Sequence, residues 1–240
     1  MRSQRPFAVA LAWALALGLW APAAPAMDFH LVDGVLVMSG PVRGNELVQL
    51  RNFLAAGPVQ LVLLHESPGG DLWNGYQVGH RIRSEGLPTA VSGRCESACG
   101  LIFLGGAERF FSDGRPIGLT MVGLHGAHTT DTHQPLTQLG PRMAWVIRSL
   151  TDGKYPGELL QRTVYPRHAE DIVYSFHPSR FRQDGTPRGV IECLKQPDAG
   201  FECAMVDGLD ALAIGVITQP EVLVLPEAVK RLLESLPAEP

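Results

Sequence analysis

The sequence predicts an α/β fold on a mainly parallel sheet, and three observations carry that expectation. Predicted strands and helices alternate with short connections from Gly34 to His125, the order that right-handed βαβ crossovers produce. Val59 to His65 (VQLVLLH) is apolar on both alternating faces, as a strand buried inside a parallel sheet must be. Ser67-Pro68-Gly69-Gly70, Ser97 and His125 each follow directly on a predicted strand, and such sheets gather their sites outside the carboxyl ends of the strands.

The elements follow in order. Gly34 to Gly40 (GVLVMSG) reads as a strand. Asn45 is a candidate cap for a helix to about Ala56, with Leu47, Leu50, Phe53 and Leu54 on its inner face. The Val59–His65 strand leads through Ser67-Pro68-Gly69-Gly70 into a helix from Leu72 to Ser84, closed by Gly86. A short strand, Thr89 to Ser92, precedes Cys95-Glu96-Ser97-Ala98-Cys99 and the apolar segment Gly100 to Gly106. Ile117 to Leu124 predicts a further strand, ending on His125.

The second half reads as more helical. Leu139, Met143, Val146, Ile147 and Leu150 share one face and predict a helix over Gln138 to Leu150, with a shorter one from Gly157 to Val164. Arg188 to Met205 reads as two extended segments around Gln196-Pro197-Asp198-Ala199-Gly200, a hairpin insertion closed by Cys193 and Cys203. Pro226 to Leu236 predicts a terminal helix with proline at its first position.

Residues 1–26 have the form of a cleaved signal peptide. Arg2 and Arg5 precede an uncharged apolar run from Phe7 to Trp20, and Ala24-Pro25-Ala26 offers a cleavage site. That run falls short of the ~20 residues a membrane span needs. Cutting after Ala26 leaves residues 27–240 as one domain in the periplasm or outside the cell. It also removes two of the 20 basic residues and none of the 24 acidic ones, for a net charge of about −6. Such a charge argues against nucleic acid or anionic lipid as a partner. Four cysteines in an oxidising compartment favour disulfides, in the local pairs Cys95/Cys99 and Cys193/Cys203. A C-x3-C zinc site would need two further ligands.

The chemistry concentrates in three places. Paired glycines after Ser67-Pro68 let bare backbone N–H groups face a substrate, as an oxyanion hole requires, although an ordinary tight turn has the same composition. Ser97 sits where a strand turns into a helix, so its hydroxyl can enter a crevice and the Ala98 N–H can serve as an oxyanion donor; the plainer alternative is a helix cap. His125 ends an apolar strand and suits a general base, against the alternative of a hydrogen-bonded structural histidine. His128 and His133 are rivals for that role. With Asp131 nearby they form H-x2-H-x4-H, but no strong zinc spacing accompanies it and no metal or other cofactor is expected.

Order and spacing join these signals. Ser97 follows Gly70 by 27 residues and His125 follows Ser97 by 28. This sequence of S-P-G-G, nucleophile turn and strand-terminal histidine resembles the Clp family of serine proteases, whose fold is shared with the crotonase family. The resemblance covers about Gly34 to His125. Within it, Ser67-Pro68-Gly69-Gly70-Asp71-Leu72, Ile82-Arg83-Ser84-Glu85-Gly86-Leu87, and Cys95-Glu96-Ser97-Ala98-Cys99 with Leu104-Gly105-Gly106 are most similar to exported bacterial relatives with a C-x-S-A-C segment.

The resemblance implies Ser97 as nucleophile, His125 as base, and Gly69 with Ala98 as oxyanion donors. The family's third member is an acid beyond the helix that follows the histidine. Asp171 fits that order, with Asp207 and Asp210 as alternatives because the Cys193/Cys203 hairpin is inserted before Gly208. It further implies a peptide or protein substrate and a homo-oligomer, with no ATPase partner expected outside the cytoplasm. The expected function is thus an exported serine hydrolase, a peptidase acting through a Ser-His-Asp triad and a backbone oxyanion hole. The competing class is a catalytically silent module that binds peptides or a partner in the same cleft. A thioester-processing enzyme is disfavoured by export, and a serine–lysine dyad by the lack of lysine before Lys154.

Overall fold

The computed structural model describes residues 26–181, 186–198 and 200–236. The basic start and apolar run of the expected leader lie outside the described residues. The chain opens on a hairpin of β1 (Asp28–Val32) and β2 (Val35–Ser39). Its two-residue turn, Asp33 (φ 50°) and Gly34 (φ 77°), is left-handed at both positions, the form that matches strand twist. Then follow α1 (Glu46–Ala56), β3 (Leu61–Ser67), α2 (Leu72–Ser84), β4 (Thr89–Glu96) and α3 (Ala98–Leu104). Strands β5 (Arg109–Phe111) and β6 (Met121–Leu124) precede α4 (Gly140–Leu150) and α5 (Gly157–Val164). Strands β7 (Ile172–Phe176), β8 (Val190–Lys195) and β9 (Phe201–Met205) and helix α6 (Glu227–Ser235) complete the order.

All nine of these strands form one sheet, in the order β1-β2-β3-β4-β6-β7-β8-β9, with β5 also on β4. Thr89 to Val91 of β4 pair with β5, and Arg94 to Glu96 pair with β6, so β5 and β6 share one side of the same long strand. Pairings β2–β3, β3–β4, β4–β5 and β4–β6 are parallel. The other four pairings, β1–β2, β6–β7, β7–β8 and β8–β9, are antiparallel. The expectation of a mainly parallel sheet is therefore corrected to a parallel centre with antiparallel flanks. The reasons lie in the connections. A two-residue turn returns β1 onto β2, and the two helices between β6 and β7 bring the chain back to the end it left.

The second half is accordingly mixed rather than helical. The expected Ile117–Leu124 strand is also shortened: Ile117–Leu119, after Pro116, forms a turn of 3₁₀ helix, and only Met121–Leu124 pairs. Strand β4 is longer than expected and carries the backbone to Glu96. The 188–205 hairpin forms as expected, with Cys193 opposite Cys203.

Both faces of the central strands are covered, which is why they read as apolar on both. Leu36, Met38, Val62, Leu64 and Val91 pack in the larger core cluster together with Leu50 of α1, Val78 of α2 and Ile102 of α3. Val35, Val37, Leu63 and Ala90 pack with Val229 and Leu233 of α6. Helix α2 meets α3 with no side-chain layer between them. A Cβ on Gly75 would lie 2.7 Å from the Ala98 carbonyl oxygen, and one on Gly79 would lie 2.5 Å from that of Leu101.

Candidate active site

Ser97 occupies the single residue between β4 and α3. Its backbone stands at φ 56°, ψ −121°, a left-handed region that costs a residue with a Cβ about 1–3 kcal/mol. Several contacts hold it there. The Ser97 N–H donates to the Gly123 carbonyl oxygen at 2.9 Å, and the Ser97 carbonyl accepts from Leu101 N–H at 3.3 Å. Cys95, in β4, is disulfide-bonded to Cys99, in α3, with Cα atoms 5.2 Å apart. The two cysteines thus lie on different elements, which removes the difficulty of linking residues four apart on one helix. Cys193 is bonded to Cys203 as expected.

The Ser67-Pro68-Gly69-Gly70 turn passes directly over this serine. Gly69 has φ 86°, and a Cβ there would lie 2.6 Å from Ser97 Cβ and 2.9 Å from the Ala98 nitrogen. Only glycine fits so near the Ser97 turn in this conformation. The turn is tied on its other side to Val42, whose N–H donates to Gly69 O at 2.8 Å while its carbonyl accepts from Asp71 N–H at 2.9 Å. Asp71 caps α2 by accepting from Asn74 N–H at 2.6 Å. Buried Glu46 accepts from the N–H groups of Arg43 and Gly44 and from the Asn74 side-chain amide, locking the Val42 segment to α2. Sequence reasoning missed Glu46, since an acid in a first helical turn has an ordinary explanation in the helix dipole.

His125 follows β6. Its Nδ1–H donates to the carbonyl oxygen of Gly126 at 2.8 Å, the tautomer that leaves Nε2 as an acceptor. Burial depresses its pKa to about 4; the Gly126 hydrogen bond opposes that shift and neighbouring His128 adds to it. The imidazole is therefore neutral at physiological pH. Ser97, His125 and Gly69 line one cleft of about 580 Å³, walled further by Pro41, Pro68 and Met143.

The structure brings Ser97, His125 and Gly69 together, with Ala98 directly after the serine. Asp171 stands apart. Its carboxylate accepts from the N–H groups of Arg167 at 2.8 Å, His168 at 2.9 Å and Lys195 at 2.8 Å. It is not a wall of the Ser97 cleft. Asp210 accepts from Leu212 and Ala213 N–H groups, closing its own turn. Asp207 borders a separate cavity with Arg180 and Arg188. None of the three is hydrogen-bonded to His125 among the described residues. His125 and His128 stack at 5.3 Å, and His128 and His133 at 5.6 Å. Near-parallel rings direct their nitrogens side by side rather than at one point, and among the described residues no three His, Cys, Asp or Glu side chains meet as metal ligands.

Behind His125 lies a second cavity of about 440 Å³, bordered by Glu96, Glu170 and Tyr174. Tyr174 OH donates to Glu96 Oε1 at 2.9 Å. Burial raises the Glu96 pKa, and that hydrogen bond opposes the rise. The pair joins two strands 78 residues apart in sequence, so no local pattern announced it.

No protein-family profile matches the sequence, and no curated protein matches it. Among solved structures, the chain is similar to a membrane-bound stomatin-specific protease at 12% identity. That match covers 83% of this chain and 82% of the other, with a TM-score of 0.46. A likeness of that degree leaves the architecture to be read from the chain's own strand order.

Proposed function

We propose that the protein is an exported serine hydrolase of the Clp-like type, acting on peptide bonds through an acyl-enzyme intermediate. The observation that carries this reading is the backbone of Ser97: a strained strand-to-helix turn, opening into a cleft that also receives His125. In this reading His125 Nε2 takes the Ser97 Oγ proton as the oxygen attacks the scissile carbonyl. The N–H groups of Gly69 and Ala98 receive the resulting oxyanion. His125 then returns the proton to the departing amine, and a water repeats the sequence to release the acid. The Gly126 carbonyl holds the productive tautomer. Asp171 acts as a positioning residue that fixes the 167–171 turn.

Export rests on the basic start, apolar run and Ala24-Pro25-Ala26 site. It is further supported by two disulfides; among the described residues no helix is long and apolar enough to cross a membrane. Mass spectrometry of periplasmic material should give Met27 as first residue, and a full-length membrane-bound form would contradict it.

The test of the chemistry is labelling with a fluorophosphonate probe. Ser97→Ala should abolish labelling and His125→Ala should strongly reduce it, while His128→Ala and His133→Ala should not. Labelling that survives Ser97→Ala would overturn the nucleophile. A folded chain that never labels would favour the second reading, a peptide-binding module, which the absence of a carboxylate on His125 among the described residues makes specific.

A further inference from the structure

The Ser97 cleft opens sideways into a mainly apolar pocket of about 320 Å³ between α2 and α4, and the two share Asp71, Leu72, Leu101, Leu139 and Met143 as walls, with the Asp71 carboxylate already accepting from Asn74 N–H as the cap of α2. The pocket is completed by Tyr76 and Val146, with Trp73 and Arg142 at its rim. Two features separate it from ordinary core. Trp73 is left 49% exposed, although a tryptophan is among the most favourable side chains to bury. The Arg142 guanidinium lies 4.4 Å above the Trp73 ring and 5.9 Å from that of Tyr76, and no carboxylate of the described residues forms an ion pair with it.

We propose that this pocket is the specificity subsite of the cleft, taking a large apolar side chain of the peptide while Arg142 receives an acidic residue beside it. The proposal rests on the cleft being a peptide site. Its occupant follows from continuity: a chain lying across Ser97 can turn one side chain between α2 and α4 without leaving the shared walls. Leu101, Leu139, Met143 and Val146 offer no hydrogen bond, so a polar side chain entering among them would lose its water without replacement. The guanidinium sits over the Trp73 ring without an ion-pair partner among the described residues, so its N–H groups can pair with a carboxylate.

The test uses the full chain carrying Ser97→Ala, so that bound peptide is not consumed. Three short fluorescein-labelled peptides, identical but for a central Glu-Leu-Glu, Glu-Ala-Glu or Lys-Leu-Lys, are titrated by fluorescence anisotropy. Leucine should bind about tenfold tighter than alanine, as burial of the larger side chain requires. Glutamate should exceed lysine by about fivefold, the upper range for exposed ion pairs. Adding Val146→Trp should fill the pocket and erase the leucine preference. Adding Arg142→Glu, a surface change that leaves the core intact, should reverse the charge preference. Equal binding of all three peptides, no binding, or selectivity unchanged by both variants would overturn the subsite. Fluorophosphonate labelling of the chain with Ser97 intact reports separately on the hydrolase reading, so the two can fail independently.

Discussion

The depressed pKa of His125 gives the sharpest quantitative expectation. A free imidazole titrates near 6.5, so at pH 5 only about 3% of it is neutral and able to accept a proton. With its pKa lowered to about 4 by burial, about nine-tenths of His125 remains neutral at pH 5. The predicted rate of Ser97 labelling by a fluorophosphonate is therefore nearly flat from pH 8 to pH 5 and half-maximal near pH 4. At pH 5 it should exceed the rate expected for an ordinary histidine by about thirtyfold. Near-ultraviolet circular dichroism at each pH separates loss of labelling from loss of fold. A half-point near 6.5 in a folded chain would refute the burial argument. The same shift acts on stability. The folded pKa lies below the unfolded one, so this contribution is fully present above pH 6.5 and is lost as pH falls from 6.5 towards 4. Allowing for partial exposure, the loss is about 2–3 kcal/mol, and His125→Asn should flatten that part of the profile.

Ser97→Gly should abolish labelling yet raise stability by about 1 kcal/mol, because glycine accepts φ 56° without strain; a lower melting temperature would contradict the strain. Gly69→Ala places a methyl group 2.6 Å from Ser97 Cβ, and should reduce labelling about 100-fold or more, the scale of a lost oxyanion donor; near-normal labelling would exclude Gly69 from that role. Replacing Cys193 and Cys203 with serine should cost about 3 kcal/mol of stability, and replacing Cys95 and Cys99 about 2 kcal/mol, since the shorter loop is cheaper to close. Labelling should show the opposite ranking, because Cys95–Cys99 brackets the nucleophile; denaturant titration beside probe labelling reads both.

The legible parts of this chain were those governed by local pattern. The α2 and α5 boundaries, the 188–205 hairpin and both disulfides follow from periodicity, capping and cysteine spacing. Strand β1 was missed although Asp33-Gly34 is a hairpin turn signal, because the apolar run after it dominates the reading. Strand β5 has only three residues, one of them the buried Arg109, and no pattern so short separates strand from loop. Strand β7 was not anticipated, and with it went the antiparallel flank beyond β6, because a sequence does not show which neighbours a strand acquires. The site divides the same way. Ser97, Gly69 and His125 each end a strand and could be placed from sequence. The tautomer of His125 depends on a backbone carbonyl, and the three N–H groups on Asp171 include one 24 residues away; neither leaves a trace in residue types.

The contact of Gly75 and Gly79 with the Ala98 and Leu101 carbonyls has a consequence for tolerance to change. Most proteins absorb a small error at one place by letting side chains in the intervening layer rotate. Here that compliant layer is missing, because two backbones touch and α3 begins at the residue after Ser97. A displacement of α2 by a methyl's width would therefore press directly on the helix that begins beside Ser97. Gly79 lines neither the cleft nor its side pocket, yet a Cβ there would press on the Leu101 carbonyl, one helical turn beyond Ser97, to whose carbonyl Leu101 N–H donates. Remote positions on this seam, rather than the walls of the cleft, are where a single added carbon should silence the protein while leaving its binding surface intact.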